Sequence, residues 1–200
     1  MQLKRNTKHL RIIRILLENP NGEFTKYKIS KLVDSSTTRV IQVLKKLEEL
    51  KLVSNTKVIN LDKLIDYYIK VNNIKLKKYY FHLSNPIDFF KNISEDYAFT
   101  TYVAENMINH HLFMNKFQVY IKQEDFSKLK ENITSKGLIG KGNLTLIILN
   151  DPEVITGSKL IGGVKVVSIP QLLIDLKKEG GVCIEAYNIL LDKYVRQKRN

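Results

Sequence analysis

The sequence predicts an α+β protein, in which an N-terminal helical module precedes a C-terminal α/β domain with a small mixed sheet. Apolar residues recur at helical spacing over residues 8–50, and strand-like segments alternate with helical ones over residues 79–196. Charge is also uneven: residues 1–82 contain 18 Lys and Arg against 7 Asp and Glu, and residues 83–200 contain 15 against 13. A basic part joined to a near-neutral part is typical of a nucleic-acid-binding module with an attached partner module.

Two short helices are predicted at the start of the chain. Apolar residues at three- and four-residue steps form one stripe over residues 8–18, and the turn residues of 19–22, NPNG, end this helix. Thr25 is a suitable N-cap for a second helix that continues to residue 33, because its hydroxyl can accept a hydrogen bond from a free backbone N–H.

The third helix, predicted over residues 35–50, carries the functional prediction. Its apolar positions fall on one face, and Asp34 or Ser35 can cap its start. Hydroxyl, amide and guanidinium groups near its N-terminus suit the edges of DNA bases, and lysines further along suit phosphates. The same pattern also fits an amphipathic helix with a solvated polar face. That polar face consists of Thr37, Thr38, Arg39, Gln42, Lys45, Lys46 and Glu49.

The second and third helices are closely joined, as in a helix-turn-helix, and residues 51–60, KLVSNTKVIN, predict two short strands. The stretch ISKLVDSSTTRVIQVLKKLEELKLVS resembles the winged-helix domains of MarR-like transcriptional regulators. The resemblance implies a winged helix-turn-helix over residues 1–60 that binds double-stranded DNA. Base reading is assigned to Ser36, Thr37, Arg39 and Gln42, and phosphate contacts to Lys26, Lys28, Lys45, Lys46 and Lys57.

Residues 61–78, LDKLIDYYIKVNNIKLKK, predict a linker or dimer segment whose helix has one apolar face and ends near Asn72-Asn73. Two roles are open for it. It can pack on the preceding module as a spacer, or it can pair with a second copy, since a two-fold symmetric homodimer matches a palindromic operator.

Residues 79–200 predict the α/β domain. The run NLTLIILN is almost wholly apolar, so it predicts a central strand buried on both faces. The predicted strands are 79–83, 113–121, 143–150 and 164–169, and the predicted helices are 87–93, 97–107, 124–133, 170–179 and 184–196.

Two segments of this domain, YAFTTYVAENMI and VVSIPQLLIDLKKEGGVCIEAYNILL, resemble the C-terminal domain of AbiEi-type antitoxins of type IV toxin–antitoxin systems. The resemblance implies an autorepressor of antitoxin type that binds its own operator. The alternative is a protein-interaction module that binds a toxin or another partner and has only non-specific affinity for DNA. The matching residues are Tyr97, Ala98, Thr100, Pro170, Gln171, Leu172, Asp175, Leu176, Glu185 and Ala186.

The candidate catalytic patterns are incomplete. Gly157-Ser158 lacks the following Asp-x-Asp that would hold Mg²⁺ in a nucleotidyltransferase, and the glycine-rich residues 137–142 precede a strand instead of following one. His110 and His111 are adjacent, so they do not share a helix face as a zinc pair would. We therefore expect no enzymatic activity, no cofactor and no metal site.

The cellular location is predicted from cysteine content and hydropathy. Cys183 is the single cysteine, which excludes a disulfide framework within the chain. The N-terminal residues are interrupted by polar side chains, unlike a signal peptide, and no segment has the eighteen or so apolar residues that cross a bilayer. We expect a cytoplasmic protein with no membrane partner.

Overall fold

The computed structural model describes residues 2–72 and 74–199, and the side chains of residues 7–72 and 74–198. These residues form ten helices and nine strands, which confirms the α+β class. They divide into two compact units, one of residues 2–72 with 189–199 and the other of residues 74–188. The first unit thus contains the helix after residue 60 and the end of the chain, besides the predicted N-terminal module.

The first unit is mainly helical, and its core comes from the apolar stripes seen in the sequence. Ile13, Leu17, Ile29, Leu44 and Leu47 are all buried. Burial of each such side chain contributes about 1.5–3 kcal/mol, so these stripes hold the helices together. The elements are α1 Gln2–Glu18, α2 Lys26–Leu32, α3 Thr37–Glu49, β1 Val53–Ser54, β2 Lys57–Val58 and α4 Leu61–Val71.

The helix predicted from residue 61 to about residues 72–73 is confirmed, and the remainder of the 61–78 linker is not helical. Helix α4 ends at Val71, and Lys78 already belongs to a strand of the second unit; residue 73 lies outside the described residues. The strand is formed because residues 78–81 pair with β7, and these ladder hydrogen bonds replace helical ones. The apolar face of α4, including Leu64 and Ile65, is buried against α1 in its own unit, as a spacer requires.

The last helix, α10 Cys183–Arg199, contributes its final turns to the first unit. The hydroxyl of Tyr194 donates a 2.9 Å hydrogen bond to the carbonyl of Leu17 and lies 3.3 Å from the carbonyl of Glu18. These carbonyls end α1, where intrahelical donors are lacking. Burial raises the pKa of Tyr194, so the phenol stays protonated as a donor.

The second unit is built on a seven-stranded sheet of order β6-β3-β7-β5-β4-β9-β8. The β4–β9 and β5–β7 pairs are parallel and the others are antiparallel, which confirms a mixed sheet. Strand β7 lies between β3 and β5 and is largely buried, as predicted for a central strand. The strands are β3 Lys78–His82, β4 Tyr97–Thr100, β5 Phe117–Ile121, β6 Leu138–Ile139, β7 Leu144–Ile148, β8 Lys159–Ile161 and β9 Val164–Val166.

Two predicted elements of this unit differ from the structure. The buried helix predicted over residues 97–107 starts only at Thr101, whose φ of +47° marks the break, because residues 97–100 pair as β4 with two neighbouring strands. The strand predicted over residues 113–121 starts at Phe117. The helices are α5 Pro86–Lys91, α6 Thr101–Asn109, α7 Phe126–Thr134, α8 Glu153–Thr156, α9 Ile169–Glu179 and the start of α10.

Candidate nucleic-acid interface

Positive charge is concentrated in the first unit. Residues 2–72 and 189–199 contain 19 Lys and Arg against 8 Asp and Glu, whereas residues 74–188 contain 14 against 12. The excess of positive charge therefore lies in the helical unit that contains α2 and α3.

Within the described residues, no helix has the length and hydropathy to cross a membrane.

The turn between α2 and α3 is fixed by short polar side chains. Asp34 occupies the left-handed region at φ +48°, and the amide of Ser35 donates to the carbonyl of Ser30 at 2.9 Å. Ser36, and not Asp34 or Ser35 as predicted, is the N-cap of α3 and accepts a 3.2 Å hydrogen bond from the backbone amide of residue 39. The Thr37 hydroxyl lies 3.2 Å from that of Ser30. Two of the predicted base-reading residues therefore also hold the turn together.

The outer face of α3 carries a stripe of exposed polar residues. Thr38, Gln42, Lys45 and Glu49 are separated by three or four positions, so they lie on one side of the helix, and all four are exposed. Gln42 and Lys45 are predicted contact residues that the structure places on this stripe. Thr38 was omitted from the predicted contacts, although its position on the polar face could have identified it.

Arg39 and Lys46 lie on the flank of α3 that faces α1. Burial lowers the pKa of His9 on α1, and the positive charges of Lys46 and Arg39 lower it further. The His9 ring also lies 6.1 Å from the ring of Tyr67 on α4. Arg39 is half-buried and Lys46 is exposed. These two cations therefore reach a different part of the surface from the Gln42 stripe.

Helix α2 contributes lysines whose ammonium groups lie over aromatic rings. The Lys28 ammonium lies 4.0 Å from the Phe24 ring centroid, and the Lys31 ammonium lies 5.3 Å from that of Tyr27. Lys28 is exposed and Lys26 half-buried. Sequence reasoning missed Lys31 and Tyr27, which are both exposed; their four-residue spacing on one helix is the signal that could have found them.

The β1–β2 hairpin is tied to the helices. The Thr56 hydroxyl donates to the carbonyl of Gly22 at 3.1 Å, and the Asn55 amide donates to a Glu48 carboxylate oxygen at 2.7 Å. Gly22 has φ +79°, and a Cβ there would lie 2.8 Å from the amide nitrogen of Lys57. Only glycine allows this approach without strain. The exposed Lys57 is therefore held at a fixed position beside the α1–α2 turn.

Residues of the two segments for which the sequence predicts an antitoxin resemblance meet in the core of the second unit. The Asp175 carboxylate accepts hydrogen bonds from Thr100 at 2.6 Å and from Tyr120 and Gln171 at 2.9 Å each. Burial raises the pKa of Asp175, and these three donors oppose that shift. The cluster joins β4, β5 and α9, so it acts on the fold of this unit. Tyr120 was missed because it is remote in sequence and has no distinguishing pattern.

The other matching residues are mostly part of the same core. Glu185 is exposed, and its carboxylate lies 3.8 Å from the His111 imidazole. The buried ones are Tyr97, Ala98, Pro170, Leu172, Leu176 and Ala186.

The candidate catalytic residues belong to different elements of the second unit. Gly157-Ser158 connects α8 to β8, and His110 ends α6 in the left-handed conformation at φ +61°. Cys183 is buried, and burial raises the pKa of its thiol. Among the described residues, no group of three or more His, Cys, Asp or Glu side chains is placed to hold a metal ion.

Comparison of the chain with protein-family models, with curated proteins and with solved structures found no match. Three features of the chain bear on its function: the charge of the first unit, the exposed stripe of α3 and the lysines of α2.

Proposed function

We propose that the protein is a DNA-binding transcriptional regulator whose first unit is a winged helix-turn-helix. The exposed stripe of α3, in a unit with 19 basic against 8 acidic residues, carries this proposal. Helix α3 has 13 residues, so it is about 20 Å long, and its outer face carries a row of polar side chains. Such a helix fits the major groove, where side chains can distinguish all four base pairs.

The residues of this surface have different roles in the proposed complex. Gln42 on the outer stripe and Arg39 on the flank read base edges, because an amide and a guanidinium can each make paired hydrogen bonds to a purine. Ser36 and Thr37 contact DNA at the start of α3 while they also stabilise the turn. The hairpin is the wing. The lysines that contact phosphates are Lys26, Lys28, Lys45, Lys46 and Lys57.

The regulator acts as a cytoplasmic autorepressor of antitoxin type, without catalysis or a cofactor. The order of a basic helical unit followed by an antitoxin-like α/β unit supports this assignment. It binds a palindromic operator as a homodimer, since two copies related by a two-fold axis present two equivalent α3 helices. The apolar face of α4 is buried on α1, so the dimer uses another surface.

Selection of bound sequences from a random duplex library tests this function. We expect enrichment of an inverted repeat whose half-site centres are about 10 base pairs apart, or a multiple of that spacing. The Gln42→Ala variant should lose the preference at one position of each half-site. A bound pool without any enriched motif would contradict sequence-specific recognition.

A second candidate function is binding of a toxin or another protein partner. The His111–Glu185 contact brings the loop after α6 close to the start of α10. Exposed apolar side chains occur on both segments: Phe113 is 86% exposed and Val182 is 66% exposed. Paired exposed apolar residues of this kind favour a protein interface.

The second function is tested with the purified product of the gene adjacent to its own. A complex that elutes together in size-exclusion chromatography, and that Phe113→Ser disrupts, would support it. Leu160→Ser is the matched control, since Leu160 is 72% exposed and lies on a different element, the edge strand β8. Equal loss of the complex in both variants, or no complex, would reject this surface.

A further inference from the structure

One edge of the second unit's sheet is rich in lysine. Residues 74–87 and 132–150, which include β3, β6 and β7, contain five lysines and neither Asp nor Glu. All five are exposed, and none forms an ion pair with another described residue. These lysines are Lys75, Lys77, Lys78, Lys136 and Lys141.

Part of this edge forms a groove of about 310 Å³. Lys78, Lys130 and Lys141 line it together with Tyr79 and Tyr80, and no carboxylate lines it. We call this surface the lysine groove. Its volume lies at the lower end of the range for small-ligand sites, so it suits one nucleotide unit at a time.

The strand register places Tyr80 on an open part of the sheet. Tyr80 pairs with Thr145, Thr145 with Gln118, and Gln118 with Thr100, so all four side chains share one face. Helix α9 covers the Thr100 end of that face through Asp175. At the other end, on β3, the Tyr80 side chain remains 49% exposed.

Tyr79 points to the opposite face, because successive strand residues alternate. Its ring lies 4.2 Å from the ring of Phe126 on α7, which fixes its orientation at the border of the groove. Lys78 shares the face of Tyr80, two residues away. Toward the α9 end of this face, the Glu179 carboxylate lies 3.3 Å from the Gln118 amide nitrogen. A polyanion therefore finds the exposed Lys78 ammonium and one open aromatic ring on this face of the sheet.

We propose that the lysine groove binds single-stranded nucleic acid, with its lysines at the phosphates and Tyr80 stacked on a base. Exposed aromatic rings between lysines are the usual composition of such surfaces, since every base has a face that can stack. A duplex would satisfy the lysines but hide its base faces from Tyr80. This binding is separate from duplex recognition by α3 and does not depend on it.

The test uses the full chain with an oligothymidylate and an abasic oligonucleotide of equal length. We expect the oligothymidylate to bind more tightly, and Tyr80→Ala to weaken its binding about tenfold, while Tyr80→Phe retains it. Phe113→Ala is the control for loss of an exposed ring elsewhere in this unit. Equal affinity for both oligonucleotides, or an unchanged affinity in Tyr80→Ala, would overturn the proposal.

The lysines are tested by the dependence of affinity on salt. Lys141→Gln should reduce the slope of log K against log salt for the oligothymidylate by about 0.7. Lys159→Gln, an exposed lysine on the opposite edge strand, should leave it unchanged. Equal reductions in both variants would overturn the groove as the site.

Photocrosslinking separates this surface from the basic first unit. An oligonucleotide with 5-iododeoxyuridine should crosslink to Tyr80, and it should still do so when excess duplex occupies the first unit. Crosslinks confined to residues 2–72 would overturn the binding of single strands by the lysine groove, but would not count against duplex recognition by the first unit. If duplex recognition alone fails, the crosslink to Tyr80 should still form.

Discussion

Replacement of Gln42 by Ala and of Lys45 by Gln should weaken DNA binding in two different ways. Both side chains are exposed on the same stripe of α3, three positions apart, so either can be changed without loss of core packing. Gln42 is uncharged and can contribute only local hydrogen bonds to a base edge. Lys45 contributes a charge that any phosphate can accept.

The expected magnitudes differ accordingly. A paired hydrogen bond between an amide and a base is worth about 1–3 kcal/mol of discrimination, so Gln42→Ala should weaken binding to the selected sequence about 5- to 150-fold. The affinity of the Gln42→Ala variant for random duplex should stay unchanged, and so should the salt dependence of its DNA binding. Lys45→Gln should weaken binding to both duplexes alike and reduce the slope of log K against log salt by about 0.9.

Fluorescence anisotropy with labelled duplexes over a salt series measures both effects. Gln197→Ala and Lys63→Gln are matched controls, since both residues are exposed in the first unit but lie outside the α2–α3 pair. Loss of affinity for random duplex in Gln42→Ala, equal to the loss for the selected sequence, would refute base reading by α3. An unchanged salt slope in Lys45→Gln would refute its phosphate contact.

Three further predictions concern the stability of the two units, each measured by urea unfolding. Asp175→Ala leaves three hydrogen-bond donors without their acceptor, so we expect a loss of about 3–5 kcal/mol in the free energy of unfolding. A loss below about 1 kcal/mol would contradict the stabilising role of these hydrogen bonds. Hydrogen bonds from Lys122 and then Lys165 lower the pKa of Asp96 to about 2 from its ordinary value of 3.8. Its contribution to stability is therefore present above about pH 4 and is lost as the pH falls through 2. Asp96→Asn should be less stable than wild type at pH 6, and most of that difference should disappear at pH 2; a difference as large at pH 2 as at pH 6 would be inconsistent with this. Ser36→Ala removes the N-cap of α3 and should lower the free energy of unfolding by about 1 kcal/mol, whereas Ser36→Asp should retain it. Equal stability of Ser36→Ala and wild type would disprove the cap.

The sequence predicts the elements whose signals are local. Thr25 caps α2 as expected, and the run NLTLIILN forms the central strand β7, because cap chemistry and continuous hydrophobicity are read from neighbouring residues. Strand β4 was missed because four residues are too few to show a period. Its conformation is set by β5 and β9, which lie far from it in sequence.

Only part of the candidate surface could be predicted, because helical spacing shows which side chains share a face but not how helices pack. Helical spacing places Gln42 and Lys45 on an exposed face, and the structure agrees. The same spacing does not reveal that Arg39 faces α1, since that depends on how two helices pack. The Asp175 cluster joins residues 55 and 75 positions apart, which no local pattern can connect.

The most direct test of the proposed function compares binding to DNA upstream of the protein's own gene with binding to random duplex over a salt series. We expect tighter binding to the upstream DNA, with a slope of log K against log salt of about −4.5 for each protomer if all five assigned lysines contact phosphates. Equal and weak affinity for the two duplexes at every salt concentration would contradict sequence-specific regulation by the first unit.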